Sequence, residues 1–336
     1  MIAKQKISAF TKLGDHLSNL NGEELDDLIY EVGASNTWFT KDSVRSAIEG
    51  LVYMLQEESL NLWISNYSIN DQNKLVGIIM AGNIPAVGFH DLLCVVISGN
   101  KALVKLSSQD DALMGYIITK LFEIEPQFKS HIYVVDQLKD MDAVIATGSD
   151  NTSRYFNYYF SKYPHIIRKN RTSCAVITGK EIEDDFKRLG ADIFQYFGLG
   201  CRNVSKLFVP KGYEFEAFWK GISSYQTVIN HHKYSNNYDY NKSIYLVNSE
   251  PHLDNGFLLL KKSDQLVSPI SVLFYEEYED QKHLQSLLEL QEEKIQCIVS
   301  LNKNWPGSFE FGNAQCPGAN DYADNIDTMK FLTALS

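Results

Sequence analysis

Four short apolar runs, "KLVGIIMA", "KALVKL", "HIYVVD" and "DAVIATG", lie between Lys74 and Gly148, separated by segments long enough for helices. Runs that are apolar throughout, rather than alternating, mark strands buried on both faces, and helix-length spacing joins such strands as βαβ units. Residues 74–170 are therefore expected to form a doubly wound nucleotide-binding domain. Ahead of them, "EELDDLIYEVG" and "SVRSAIEGLVYMLQEESLNLWISNY" place apolar residues at three- and four-residue intervals. That spacing predicts amphipathic helices over residues 1–70.

A second α/β set starts near Thr172. "SCAVITG" reads as a strand, "EIEDDFKRLGADIFQYFG" as a helix, "SKLFVP" as a strand and "GYEFEAFWKGISSYQTV" as a helix. "NHHKYSNNYDYNKS" reads as a polar loop, followed by strands in "SIYLVN", "GFLLLK" and "ISVLFY", a helix in "EDQKHLQSLLELQEE" and a strand in "IQCIVSL". With 336 residues, 44% of them hydrophobic, the chain exceeds what one compact core supports, so two domains are expected. The division reads as 1–171, helical region plus nucleotide-binding domain; 172–303, a second α/β domain; and 304–336, a return segment rich in Gly, Pro and Asn.

Charge and cysteine usage exclude several classes. Net charge is −11 with an isoelectric point near 5.2, and no stretch is strongly basic, which argues against nucleic acid as a partner. "MIAKQKISAF" lacks the apolar region of a signal peptide, and no apolar stretch is long enough to span a bilayer. The five cysteines, without a CxxC pair, form neither a disulfide framework nor a zinc ribbon, and no His/Asp/Glu set has metal-ligand spacing. A cytoplasmic, reduced setting is expected.

Neither GxGxxG nor GxxxxGK[ST] is present. The chemistry lies instead in "FQYFGLGCRNVSKLFVP", which sets Cys201 behind two glycines and ahead of an apolar strand. A thiol on such a turn reads as a nucleophile that carries an acyl group; the bland alternative is a small buried apolar residue. Cys94, Cys174 and Cys297 lie inside apolar runs and fit the bland reading, and Cys316 lies on a loop. Two further segments, "GIIMAGNIPAVGFHDLLCVVISGNKALVKLSSQD" and "VIATGSDNTSRYFNYYF", precede the Cys201 turn. In order and separation the three resemble the aldehyde dehydrogenase superfamily, with its Asn-aromatic-Pro turn, GNxxxLK strand, TGS turn and Gly-x-x-Cys. The resemblance covers residues 74–336, and the short chain resembles most the bacterial fatty-acyl-CoA reductases of the LuxC type.

That resemblance implies an aldehyde dehydrogenase-like fold, two doubly wound α/β domains with a helical N-terminal region. It implies Cys201 as nucleophile and Asn83 as side-chain donor to the oxyanion, together with the Cys201 backbone N–H. Lys105 matches the lysine at the cofactor's adenosine ribose, and Thr147, Gly148 and Ser149 match the turn that approaches the pyrophosphate at a helix start. Ser108 stands where NAD-preferring members carry Glu; a serine can donate to a 2′-phosphate that a carboxylate would repel, so NADPH is expected, with NADH the alternative. The substrate implied is an acyl-CoA and the assembly a homodimer or larger.

Two departures from the family pattern bear on the reaction. "HIIRKNRTSCAVI" carries no carboxylate where aldehyde-oxidising members keep a general base, so water attack on an acyl-cysteine should be slow, which suits a reductase. Its cations Arg168, Lys169 and Arg171 read as a solvated cluster, with CoA phosphates the alternative. In "QLVSPI", Gln265 stands where Glu positions the nicotinamide ribose, and Pro269 is kept. Two rivals follow: aldehyde oxidation with Glu310 as base, and a non-reducing acyl-transfer partner in a reductase complex. His90 falls on an expected helix near Asn83, and His231 and His232 read as surface residues.

Overall fold

The structure, a computed structural model, describes residues 1–335 apart from the Asp150 side chain. The chain divides into two compact units, Met1–Asn170 together with the chain from Pro317 onward, and Arg171–Cys316. Four helices open the first unit: α1 (Ala3–Ser18), α2 (Gly22–Ser35), α3 (Lys41–Met54) and α4 (Glu57–Ile64). Phe10 and Leu13 of α1, Val44 of α3 and Leu60 of α4 are fully buried in the core that also takes the following strands. Thr40 starts α3 by accepting the Ser43 N–H on its hydroxyl at 3.2 Å.

Strands and helices then alternate: β1 (Leu75–Ile79), α5 (Phe89–Ile97), β2 (Lys101–Lys105), α6 (Asp111–Ile124), β3 (Ile132–Val134), β4 (Ala143–Thr147), α7 (Asp150–Phe160) and β5 (His165–Arg168). The strands pair in parallel in the order β3-β2-β1-β4-β5, with Val76 opposite Ala102 on one side and Ala143 on the other. From β1 the chain builds one way, and from β4 the other. The loops after these two neighbouring strands therefore diverge and leave a crevice at their C-terminal ends, where open parallel sheets bind ligands.

The second unit contains β6 (Thr172–Val176), α8 (Glu183–Phe194), β7 (Val204–Pro210), α9 (Glu216–Ile222), α10 (His232–Val247), β8 (Leu253–Asp254), β9 (Leu259–Lys262), β10 (Val272–Tyr278), α11 (Gln281–Glu289) and β11 (Ile295–Ser300). Its sheet runs β11-β6-β7-β10-β9-β8, parallel except for β8 against β9. Within it, Lys206 of β7 is fully buried; its ammonium pairs with Glu276 of β10 and donates to the Ser263 carbonyl at 3.0 Å.

One expectation is overturned here. The polar loop and the "SIYLVN" strand are together one helix, α10. Its buried stripe is Tyr234, Tyr238, Asn241 and Tyr245, spaced at helical intervals but built of polar-tipped side chains. Those tips find partners: the Tyr234 hydroxyl donates to the Phe257 carbonyl at 2.9 Å, and the Asn241 amide to that of Ile270 at 3.0 Å. The stripe is amphipathic residue by residue, so an aliphatic pattern does not reveal it.

Residues 304–316 belong to the second unit, where Phe309 bridges to Val299. From Pro317 the chain returns to the first unit and forms α12 (Thr328–Thr333), whose Met329 and Leu332 are fully buried. Trp63 donates its indole N–H to the Tyr322 hydroxyl at 2.7 Å, and the Gln72 amide donates to the Thr333 carbonyl at 2.7 Å. Among the described residues no helix is long and apolar enough to cross a membrane, and no group of three or more His, Cys, Asp or Glu could hold a metal ion.

Candidate active site

The Cys201 turn begins where α8 ends. Tyr196, Phe197 and Gly198 have φ of 54°, 57° and 79°, a run of left-handed backbone in which only the last residue is free of Cβ strain. Packing holds the strained pair: the Phe197 ring lies 4.3 Å from that of His231, and His231 caps α10 by accepting the Tyr234 N–H at 3.4 Å. Next, Asn203 closes a four-residue turn around Cys201. Its N–H donates to the Gly200 carbonyl at 3.0 Å, and its side-chain oxygen accepts the Gly200 N–H at 2.8 Å. Its amide NH2 donates to the carbonyls of Asp192, Ile193 and Gln195 at 3.0, 3.3 and 2.8 Å. These include helix-end acceptors that have no partner within α8.

Ser173 of β6 approaches the turn from the other side and donates its hydroxyl to the Cys201 carbonyl at 3.0 Å. The same oxygen accepts the Cys297 N–H at 3.2 Å and lies 3.0 Å from the Cys297 sulfur. Burial pushes the Cys297 thiol up to about 11, against the opposing Arg202 charge and the Ser173 hydrogen bond, so this neighbour stays protonated at neutral pH. Cys94, Cys174 and Cys297 are buried, Cys316 is exposed, and Cys201 is half-buried.

Asp192, fully buried in α8, accepts the N–H groups of Gly312 and Ala314 at 2.6 and 3.0 Å. Burial raises its carboxyl to about 7, although both N–H groups favour the charged form. The segment held this way also meets the residue after the thiol. The Arg202 guanidinium lies 5.5 Å from the centre of the Phe309 ring and 3.5 Å from the Ala314 carbonyl oxygen. Glu310 sits half-buried on that segment. Gln265 is exposed, with its N–H on the Ser263 hydroxyl at 3.1 Å. Its loop is tied to β7, since the Ser205 hydroxyl donates to the Leu266 carbonyl at 2.8 Å. The structure thus brings the Gln265 loop and the Cys201 turn to the same strand.

In the first unit the other expected residues line the C-terminal edge of one sheet. The loop after β1 carries Asn83, which is exposed. Ala86, at φ 57°, donates its N–H to Asp110 at 2.8 Å; among the described residues the second oxygen of that buried carboxyl has no hydrogen-bond partner. Burial raises Asp110 to about 8, with only the Ala86 N–H opposing it. Lys105 ends β2 and donates to the Asp136 carbonyl at 2.9 Å, and Ser108 follows in the exposed loop. Thr147 ends β4. A Cβ on Gly148 would come within 2.9 Å of the Phe156 ring and 3.0 Å of Thr152 Cβ, so glycine is what lets α7 pack on the strand end. Ser149 caps α7, its hydroxyl accepting the Thr152 N–H at 3.2 Å.

Two sequence readings change. Arg168 is neither solvated nor available to a CoA phosphate: it is buried, with one guanidinium nitrogen on both oxygens of Asp91 and the other on the Thr328 hydroxyl at 2.9 Å. Burial opposes its charge, but Asp91 outweighs burial and raises its pKa. His231 is half-buried beneath Phe197 rather than on the surface. His90, on α5 as expected, has its ring nitrogen 2.8 Å from the Ala319 carbonyl. Asn203 was readable in principle, because an asparagine just after a glycine turn is a turn-fastening residue. Ser173, Asp192 and Asp110 gave no local signal.

The fold is shared with solved aldehyde dehydrogenases. The P. syringae indole-3-acetaldehyde dehydrogenase AldA superposes with a TM-score of 0.67 at 11% identity, over 94% of this chain and 75% of that one. KauB of Pseudomonas aeruginosa gives 0.67 at 11% identity over 91% and 73%. An E. coli NADP-dependent enzyme gives 0.63 at 12% identity over 89% and 73%. No curated protein matches in sequence. The profile of the acyl-CoA reductase (LuxC) family matches residues 21–219, more than half of the chain. With a half-buried cysteine on a doubly fastened turn inside that matched region, the chain belongs to the acyl-CoA reductase (LuxC) family of oxidoreductases.

Proposed function

We propose that the protein reduces an acyl-CoA, with a fatty acyl group, to the aldehyde at the expense of NADPH. The observation that carries this reading is the half-buried Cys201 thiol on its fastened turn. In this reading the Cys201 thiolate attacks the thioester carbonyl, the bond to CoA breaks, and CoA leaves as its thiolate and takes up a proton. The oxyanion formed at each addition is stabilised by the Asn83 amide and the Cys201 N–H. After reduction, the thiohemiacetal loses its hydroxyl proton, the bond to sulfur breaks, and the Cys201 thiolate and the aldehyde separate.

The first unit fits a nicotinamide dinucleotide. The crevice between the ends of β1 and β4 is edged by Gly148, which a side chain would obstruct, and by the capped start of α7. Lys105 and Ser108 flank it on β2 and its loop; Ser108, with no carboxylate at its position, favours the 2′-phosphate of NADPH over NADH. When bound, the cofactor supplies the hydride. Among the solved relatives, AldA carries NAD+ and the E. coli enzyme is NADP-dependent. The reading carries a cytoplasmic, reduced setting and a homodimer or larger assembly, which light scattering would check.

Loss of NADPH absorbance with a series of acyl-CoA thioesters tests the reading. Oxidation that depends on thioester and stops in Cys201→Ala supports it; no oxidation with any thioester removes it. The rival, aldehyde oxidation with Glu310 as base, has in its favour that Glu310 lies on the segment Arg202 contacts. Acid formed from aldehyde and NADP+, lost in Glu310→Gln, would favour that rival.

A further inference from the structure

We infer that Asn203, together with Ser173, is a positioning residue for the Cys201 thiol; this rests on the reading of Cys201 as the nucleophile. The two side chains fasten the turn from opposite sides. Asn203 accepts the N–H of Gly200, one peptide ahead of the cysteine's own N–H, while Ser173 donates to the carbonyl of the cysteine itself. The chain shortly before the Cys201 Cα and directly after it is therefore held by side chains of the second unit. Asn203 is in turn anchored: its NH2 is spread over three carbonyls at the end of α8, and its own carbonyl accepts the Ser173 N–H at 3.1 Å and the Thr172 hydroxyl at 3.3 Å.

The choice of residue is specific. Asn203 accepts at one end and donates at the other, which only a primary amide of that length does here. An aspartate would turn a carboxylate toward the α8 carbonyls, and an alanine would leave the Gly200 N–H and those carbonyls without partners in a buried site. Both side chains are neutral, so the hold on Cys201 does not vary with pH. A nucleophile displaced by a fraction of its working distance loses rate without losing substrate affinity.

The test compares wild type with Asn203→Ala, Asn203→Asp and Ser173→Ala. Iodoacetamide labelling of each cysteine is followed by mass spectrometry across a pH series, alongside kcat and KM for acyl-CoA. Asn203→Ala should slow Cys201 labelling and lower kcat by about tenfold or more, with KM little changed. Asn203→Asp should recover relative to wild type as pH falls, because the protonated acid regains one donor. Buried Cys174 should stay unlabelled and exposed Cys316 should label normally, which separates mispositioning from general loosening. Wild-type labelling and kcat in folded Asn203→Ala and Ser173→Ala would overturn the inference. If the Asn203 variants do not fold, Ser173→Ala decides in the same way. Labelling needs no substrate, so acyl-CoA reduction that survives in Cys201→Ala would remove the nucleophile reading without touching this comparison.

Discussion

The loop after β1, which carries Asn83, is tied through the Ala86 N–H to one oxygen of a buried carboxyl, whereas the turn before β7, which carries Cys201, is tied by a neutral amide and a hydroxyl. Carboxyls recur in both units, and there the contrast is one of degree. Burial raises both: Asp110, with one N–H and the neighbouring Asp111 charge, to about 8, and Asp192, with two N–H groups, to about 7. Each N–H aimed at a carboxylate favours its charged form and offsets part of the burial penalty. The difference teaches that the Cys201 turn is fixed by groups that cannot titrate, while Asp110 and Asp192 hold their own segments through groups that can.

The comparison can be broken most forcefully at Arg168. If the rigid part of the first unit is the Arg168–Asp91 pair rather than the Asn83 loop, Arg168→Leu should cost about 3–5 kcal/mol by stranding a buried carboxylate. Chemical denaturation would read this, and Arg168→Leu with Asp91→Leu should regain much of the loss. Next comes Asp192→Ala, which removes the partner of the buried Ala314 N–H and of the half-buried Gly312 N–H, at a cost of about 1–3 kcal/mol. An equal cost for Asp110→Ala, which frees only Ala86, would erase the distinction between the two carboxyls.

A subtler measurement sharpens it. Both aspartates hold their protons more tightly in the fold than in the unfolded chain, where the carboxyl keeps its ordinary value of 3.8. The stability this gives is complete below that value and is lost as pH rises through about 7 for Asp192 and about 8 for Asp110. Thermal unfolding across pH should therefore show one decline that begins above about 3.8, to which both groups contribute, and that levels off once both carboxyls are ionised in the fold. Asp192→Asn and Asp110→Asn should each make that decline shallower, the latter at little cost below neutral pH because Ala86 keeps an acceptor. A decline that persists unchanged in both variants would refute the assignment.

The parallel strands and the Cys201 turn were legible in the sequence because both are local: an unbroken apolar run, and a cysteine behind two glycines. The order of strands around β1, by contrast, came into view only with the pairing of Val76 to both Ala102 and Ala143. What fastens the turn was hidden for a similar reason. Ser173 reaches Cys201 across 28 residues, and only the β6–β7 register makes them neighbours. Arg168 misled because a cluster of cations reads as solvated, and the Asp91 that buries it lies 77 residues earlier. α10 misled for a chemical reason, since its core-facing stripe of Tyr and Asn wears the composition of a loop.

The return of the chain from Pro317 to the first unit has a consequence for how the molecule is made. Trp63, Gln72 and Asn100 find partners in Tyr322, Thr333 and Leu332, all synthesised after the whole second unit. On the ribosome the first unit emerges early, yet it must wait with an uncovered flank. The second unit, one continuous stretch, has its entire core available by Cys316. The half of the protein translated later is the half that can finish folding first.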